Sequence, residues 1–231
     1  PMMGPSFGEN HTFYGRFDAV AVVDVDNDGD PDVVTAEGDW LRIHENVAGR
    51  LVARDVVVTK YASPVALDAG EEDIVVGYAA GAVVVHALDG ERIMTVDVDV
   101  ASGAVVVRAA DIDGDGALDV VSAAAEDDTV AVYRASKWFS KRLAASDSVG
   151  VTDVVVLDVD GDGDLDLLPT LPCSGTVVAL KSMPRNREDD VWIGDDWLEY
   201  QRTVLRRRGR GQRAVAVVGD DIVVAYRTVY V

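Results

Sequence analysis

Apolar residues in this chain cluster in short Val-rich runs, most of them bounded by acidic residues, Gly or Pro. Runs of this length, rich in β-branched residues and bounded by turn formers, read as β-strands. "AVAVV" (19–23) and "VVTA" (33–36) flank one polar stretch, "AVVVRAA" (104–110) and "VVSAAA" (120–125) a second, and "VTDVVVL" (151–157) and "LLPTL" (167–171) a third. Two further runs follow the first two pairs: "DWLRIHEN" (39–46) and "LVARDVVV" (51–58) after the first, "TVAVYRA" (129–135) and "KWFSKRLA" (137–144) after the second. The segments "VALDAGEEDIVVGY" (65–78) and "AVAVVGDDIVVAY" (214–226) repeat the leading strand pair with a shortened loop. Helical periodicity is absent.

Anchored on the acidic residue that opens the second strand, the units fall at Asp32, Asp73, Asp119, Asp166 and Asp221. Their spacing, roughly 40–50 residues with four strands each, is that of β-propeller blades. The reading is therefore all-β: a five-bladed β-propeller forming one domain over 1–231. Its blades span about 19–58, 65–98, 104–144, 151–205 and 213–231. The fifth unit ends before its outer strand, and "HTFYGRF" (11–17) is expected to supply that strand and close the ring, which removes exposed edges; the alternative is a fragment of a larger ring.

Composition adds a constraint. The net charge is −20, with 48% hydrophobic residues. Such a surface repels nucleic acid and anionic lipid, while the hydrophobic content argues against disorder. Apolar runs are too short for a transmembrane helix, so neither nucleic-acid binding nor membrane insertion is expected. A single cysteine, Cys173, excludes an internal disulfide framework and a Cys-rich zinc site.

Much of the acidity is concentrated in three loops. "DVDNDGDPD" (24–32), "DIDGDGALD" (111–119) and "DVDGDGDLD" (158–166) share the template D-x-D-x-D-G-x-x-D and hold 14 of the 41 acidic residues. Like charges at this density repel unless something neutralises them. Asp at alternate positions of a tight loop places three carboxylates on one side of the turn, and Gly after the third Asp permits the sharp bend. A ring of hard, charged oxygens suits Ca²⁺. A plain solvated turn gives no reason for the template to recur three times. The first part of the template matches an EF-hand loop, but the twelfth position holds Thr35, Ser122 or Pro169 in place of Glu, and the flanks are strands rather than helices.

The three loops with their Val-rich flanks, and "EDDTVAVYRA" (126–135) after the second, resemble the FG-GAP and VCBS repeats of integrin-α-like propellers and many secreted proteins. That resemblance implies calcium held by side chains at loop positions 1, 3, 5 and 9 and by the carbonyl at position 7. The implied ligands are Asp24, Asp26, Asp28, Asp30 (carbonyl) and Asp32; Asp111, Asp113, Asp115, Ala117 (carbonyl) and Asp119; and Asp158, Asp160, Asp162, Asp164 (carbonyl) and Asp166. About three Ca²⁺ ions follow, with none in the shortened loops of the second and fifth units. The resemblance also implies an extracellular or cell-surface setting and a protein or glycan partner.

Other chemistry is sparse. His44 and His86 fall at equivalent strand positions, with Tyr133 and Leu180 in the same register, which marks a repeated packing site rather than a triad. No residue is assigned a catalytic role. The segment 183–212 breaks the repeat and carries Trp192, Trp197 and the basic run "RRRGRG" (206–211). It reads as a solvated loop or as a surface for sugar or protein. The resulting functional expectation is a calcium-binding adhesion or ligand-binding module in which calcium braces the scaffold. The alternative is a polysaccharide-active enzyme or enzyme-associated domain, which needs a paired acid and base at a defined separation.

Overall fold

A computed structural model describes residues 16–26, 28–58, 61, 63–70, 73–89, 92–100, 105–135, 140–145, 148, 150–173, 176–182, 200–207, 212–218 and 221–226. The protein is all-β, with eighteen strands and no α-helix among those residues. The first sheet is a meander of β1 (Ala19–Val23), β2 (Asp32–Glu37), β3 (Trp40–Val47) and β4 (Arg50–Val58). The second joins β5 (Pro64–Gly70), β6 (Asp73–Tyr78), β7 (Ala82–Asp89) and β8 (Arg92–Val100) in the same order. The third contains β9 (Val105–Ala110), β10 (Asp119–Ala124), β11 (Thr129–Arg134) and β12 (Ser140–Ala145). The fourth contains β13 (Asp153–Leu157), β14 (Asp166–Thr170), β15 (Thr176–Ser182) and β16 (Tyr200–Arg207). The remaining pair is β17 (Gln212–Val218) with β18 (Asp221–Tyr226). Consecutive strands pair antiparallel, as short hairpin connections require.

Strand position decides the burial pattern. In β1, Ala21 and Val23 are buried while Val20 and Val22 are exposed, the alternation of a half-covered strand. The second strands β10 and β14 are buried at every residue, and β2 at all but Glu37. A strand covered on both faces needs an unbroken apolar run, which is why "VVTA", "VVSAAA" and "LLPTL" lack alternation. The fourth strands carry more charge: Arg50, Arg54 and Asp55 in β4, Lys141 and Arg142 in β12. Charge on an outermost strand discourages pairing with a foreign edge.

The chain divides into two compact units, Pro1–Ala109 and Ala110–Val231. In the first, Val34, Leu41 and Ile43 share one core with Leu67, Ile74, Val76 and Tyr78 of the second sheet. Burying each such aliphatic side chain contributes about 1.5–3 kcal/mol relative to leaving it in water. In the second unit, Leu168 and Ala179 form a core with Val155, Leu157 and Val159.

The register explains the histidines. His44 lies opposite Val33, His86 opposite Ile74, Tyr133 opposite Val120 and Leu180 opposite Leu167. All four are buried. His44 Nε2 lies 3.2 Å from Thr35 Oγ1, and Tyr133 OH lies 3.1 Å from Ser122 Oγ. The equivalent of Thr35 and Ser122 opposite Leu180's side of the fourth sheet is Pro169, so a polar partner accompanies the polar ring in those two sheets and an apolar residue accompanies Leu180. Burial, reinforced by Arg42, pushes the His44 pKa down, so it packs as a neutral ring.

Two expectations meet the boundary of the described residues. In 11–17, residues 11–15 lie outside it, and Arg16 and Phe17 belong to no strand. Within 183–212, residues 200–207 form β16, hydrogen-bonded to β15. The departure from the repeat therefore narrows to 183–199 and 208–211, which lie outside the described residues together with Trp192 and Trp197.

Candidate metal-binding loops

Each acidic loop connects the first two strands of its sheet, and the three are built alike. The second loop residue anchors it: Ile112 is buried, and Val25 and Val159 pack against the cores of their units. With that side chain turned inward, Asp24, Asp26, Asp158 and Asp160 keep some exposure, whereas the Asp113 side chain is covered.

The first Asp organises the turn. Asp24 accepts the N–H groups of Asp28 (3.1 Å) and Gly29 (2.9 Å). Asp111 accepts those of Asp115 (3.1 Å) and Gly116 (2.9 Å). Asp158 accepts those of Gly161 (2.7 Å) and Gly163 (3.0 Å). The fifth residue does the same two positions on: Asp28, Asp115 and Asp162 accept the N–H groups of Asp30, Ala117 and Asp164. The sixth residue is always Gly, at φ 92°, 87° and 93° for Gly29, Gly116 and Gly163. An added Cβ meets nothing within 4 Å at these positions, so the backbone angle, not crowding, requires glycine.

The ninth Asp has a role the sequence did not reveal. Asp32 accepts N–H groups from Val25 (2.8 Å) and Asn46 (2.7 Å). Asp119 accepts from Ile112 (3.1 Å) and Ala135 (2.9 Å), and Asp166 from Val159 (3.0 Å) and Ser182 (2.7 Å). One buried carboxylate thus ties the start of the loop to the end of the third strand. The only sequence signal is hairpin arithmetic, since the distant donor lies 14 or 16 residues away.

The fold brings together Asp24, Asp26 and Asp32; Asp111, Asp113 and Asp115; and Asp158, Asp160 and Asp166, with one oxygen of each within 4.8 Å of the others in its set. Asp28, Asp119 and Asp162 lie outside these threes, as do Asp30, Ala117 and Asp164, the residues read as carbonyl donors. Such all-oxygen, anionic donor sets fit a hard divalent cation, Ca²⁺ above all. The electrostatics agree. Burial pushes the pKa of Asp32 and Asp166 up against two backbone hydrogen bonds, and the neighbouring loop carboxylates push the same way. Asp119 is pushed up to about 6 by burial, with Asp113 and Asp115 adding to it. A bound cation reverses both effects on a carboxylate.

Two loops also carry a basic partner. Arg134, at the end of β11, pairs with Asp113, and both are buried. Lys181, on β15, bonds Asp160 at 2.8 Å. That bond pulls the Asp160 pKa down and the Lys181 pKa up. Neither base has any local sequence link to its loop.

These features define a class: repeated antiparallel sheets in which an Asp-rich loop joins the first two strands. Residues 111–168 match the FG-GAP-like repeat family, a span that includes two of the three loops with β10, β11, β12 and β13 between them. The chain thus carries an FG-GAP-like repeat. No curated protein matches the chain. No helix among the described residues is long and apolar enough to cross a membrane.

Proposed function

We propose that the protein is a calcium-binding β-propeller that serves as a protein- or glycan-binding adhesion module, with calcium bracing its scaffold. The observation that carries the metal reading is the threefold recurrence of one loop. In each copy the same hydrogen bonds fix the turn and three carboxylates converge. Asp24, Asp26 and Asp32, with Asp111, Asp113 and Asp115 and with Asp158, Asp160 and Asp166 in the other two loops, would hold the ions, which supply charge neutralisation. The bracing role follows from the ninth Asp, whose carboxylate also fastens the loop to the third strand. An extracellular setting, where calcium is near ~1 mM, suits loops of modest affinity.

The propeller reading rests on the repeated four-stranded meanders and the FG-GAP-like match. Five blades, closed through 11–17, complete it. Calorimetry and thermal melts with Ca²⁺ and with chelator test the metal. Three bound ions and a higher melting temperature are expected, and the absence of both overturns the assignment. A glycan array paired with a hydrolysis assay on the same sugars tests the module. Binding without turnover is expected, whereas turnover transfers the protein to the polysaccharide-active enzymes.

A further inference from the structure

The three loops share a template but differ in what stands beside them. The residue before the N–H that clamps the ninth Asp is Glu45 in the first sheet, Arg134 in the third and Lys181 in the fourth. In two sheets that position delivers a cation to the Asp at the third position of the loop. In the first sheet it delivers an acid, which Arg54 of β4 neutralises at 2.6 Å.

We propose that Arg134 and Lys181 are tethered counter-cations that compete with the divalent ion for Asp113 and Asp160, so that the loops bind it in the order 24–32, then 158–166, then 111–119. This deepens the calcium reading and rests on it. Arg134 keeps its charge at any physiological pH and is 7% exposed against an Asp113 that is 0% exposed. The second oxygen of Asp113 accepts the N–H of Asp115 at 3.2 Å. An ion entering loop 111–119 must therefore displace a buried guanidinium. Lys181 and Asp160 are 24% and 35% exposed, so water screens their pair and lets it exchange.

The gathering of the carboxylates differs in the same sense. Loops 24–32 and 158–166 bring their ninth Asp into the converging set, whereas loop 111–119, with its buried Arg134, gathers Asp111, Asp113 and Asp115 instead. Formal charge gives the same order. Five aspartates, with Glu45 and Arg54 cancelling, leave the first loop at −5; five aspartates and Lys181 leave 158–166 at −4; four aspartates and Arg134 leave 111–119 at −3. Site charge is one of the levers that sets calcium affinity.

The test is calorimetric titration of the full chain with CaCl₂. Arg134→Met is expected to tighten the weakest site by about tenfold, and Lys181→Met another site by about threefold, the difference reflecting solvent screening. Glu45→Arg is expected to weaken the tightest site by about tenfold. With chelator present, Arg134→Met should melt below the wild type, and calcium should narrow that gap. If Arg134→Met fails to fold, the Lys181→Met and Glu45→Arg variants still decide. Three bound ions with affinities unchanged or weakened in Lys181→Met overturn the counter-cation role and leave the calcium reading standing. No bound ion in the wild type or any variant overturns both.

Discussion

The first and second sheets have the same four-stranded meander and share one hydrophobic core, yet only one has an acidic loop. Eight residues separate β1 from β2, whereas two separate β5 from β6. The short connection lets β5 and β6 pair as far as Gly70 opposite Asp73. Asp68, which sits where a loop would begin, accepts the N–H of Ala109 at 2.9 Å and so fastens the second sheet to the next strand along. The acidic loop is therefore unnecessary for strand pairing. What it adds is a set of converging carboxylates; the second sheet, through Asp68, likewise uses a carboxylate on a backbone N–H as a cross-link.

Calcium removal should separate the two sheets most strongly. A site with free calcium at one hundred times its Kd stabilises the fold by about 2.7 kcal/mol. Chelation should therefore lower the melting temperature. Hydrogen exchange should then speed up at the amides of Val25, Asn46, Ile112, Ala135, Val159 and Ser182 while β5 and β6 change little. Equal acceleration in both sheets would break the comparison.

Next comes the clamp itself. Asp119→Ala leaves the N–H groups of Ile112 and Ala135 without their acceptor in a buried setting, at a cost of about 2–4 kcal/mol in urea denaturation. Gly116→Ala tests the loop backbone at φ 87°, where a side chain costs about 1–2 kcal/mol by conformation alone. Its calcium affinity should fall as well.

The smallest effect concerns pH. The folded pKa of Asp119, about 6, lies above its unfolded value, so between about pH 4 and 6 the folded chain holds the extra proton. Without calcium, stability should decline as pH rises through that window, because ionising Asp119 leaves a charge in a buried setting. Asp32 and Asp166 act in the same direction. With calcium the trend should invert, because the ion binds the ionised form and protons compete with it. A urea midpoint that does not respond to pH in chelator would show that the clamp is already neutralised.

Much of the fold was legible because each signal is local. Val-rich runs between Asp-Gly turns gave the leading strands to within a residue or two, as with 19–23 for β1 and 120–125 for β10. β16 was harder to read: "YQRTVLRR" is polar, the composition of an outer strand, and the long segment 183–199 separates it from β15. The loop template was legible for the same reason as the strands, since Asp at alternate positions and Gly at the sixth determine turn geometry within nine residues.

By itself, then, the sequence determined the repeat, the strand order within each unit and the clustering of carboxylates, all of which depend on neighbours a few positions apart. Only the tertiary structure decided what each carboxylate does. Pairing of β2 with β3, β10 with β11 and β14 with β15 brings residues 14 to 21 positions away against the loops. That pairing makes the ninth Asp a clamp, and it sets Arg134 and Lys181, but an acid in the first sheet, beside otherwise equivalent sites. Hydrogen bonds and ion pairs act through space, so such partners are fixed by register, which a linear pattern of charges does not encode.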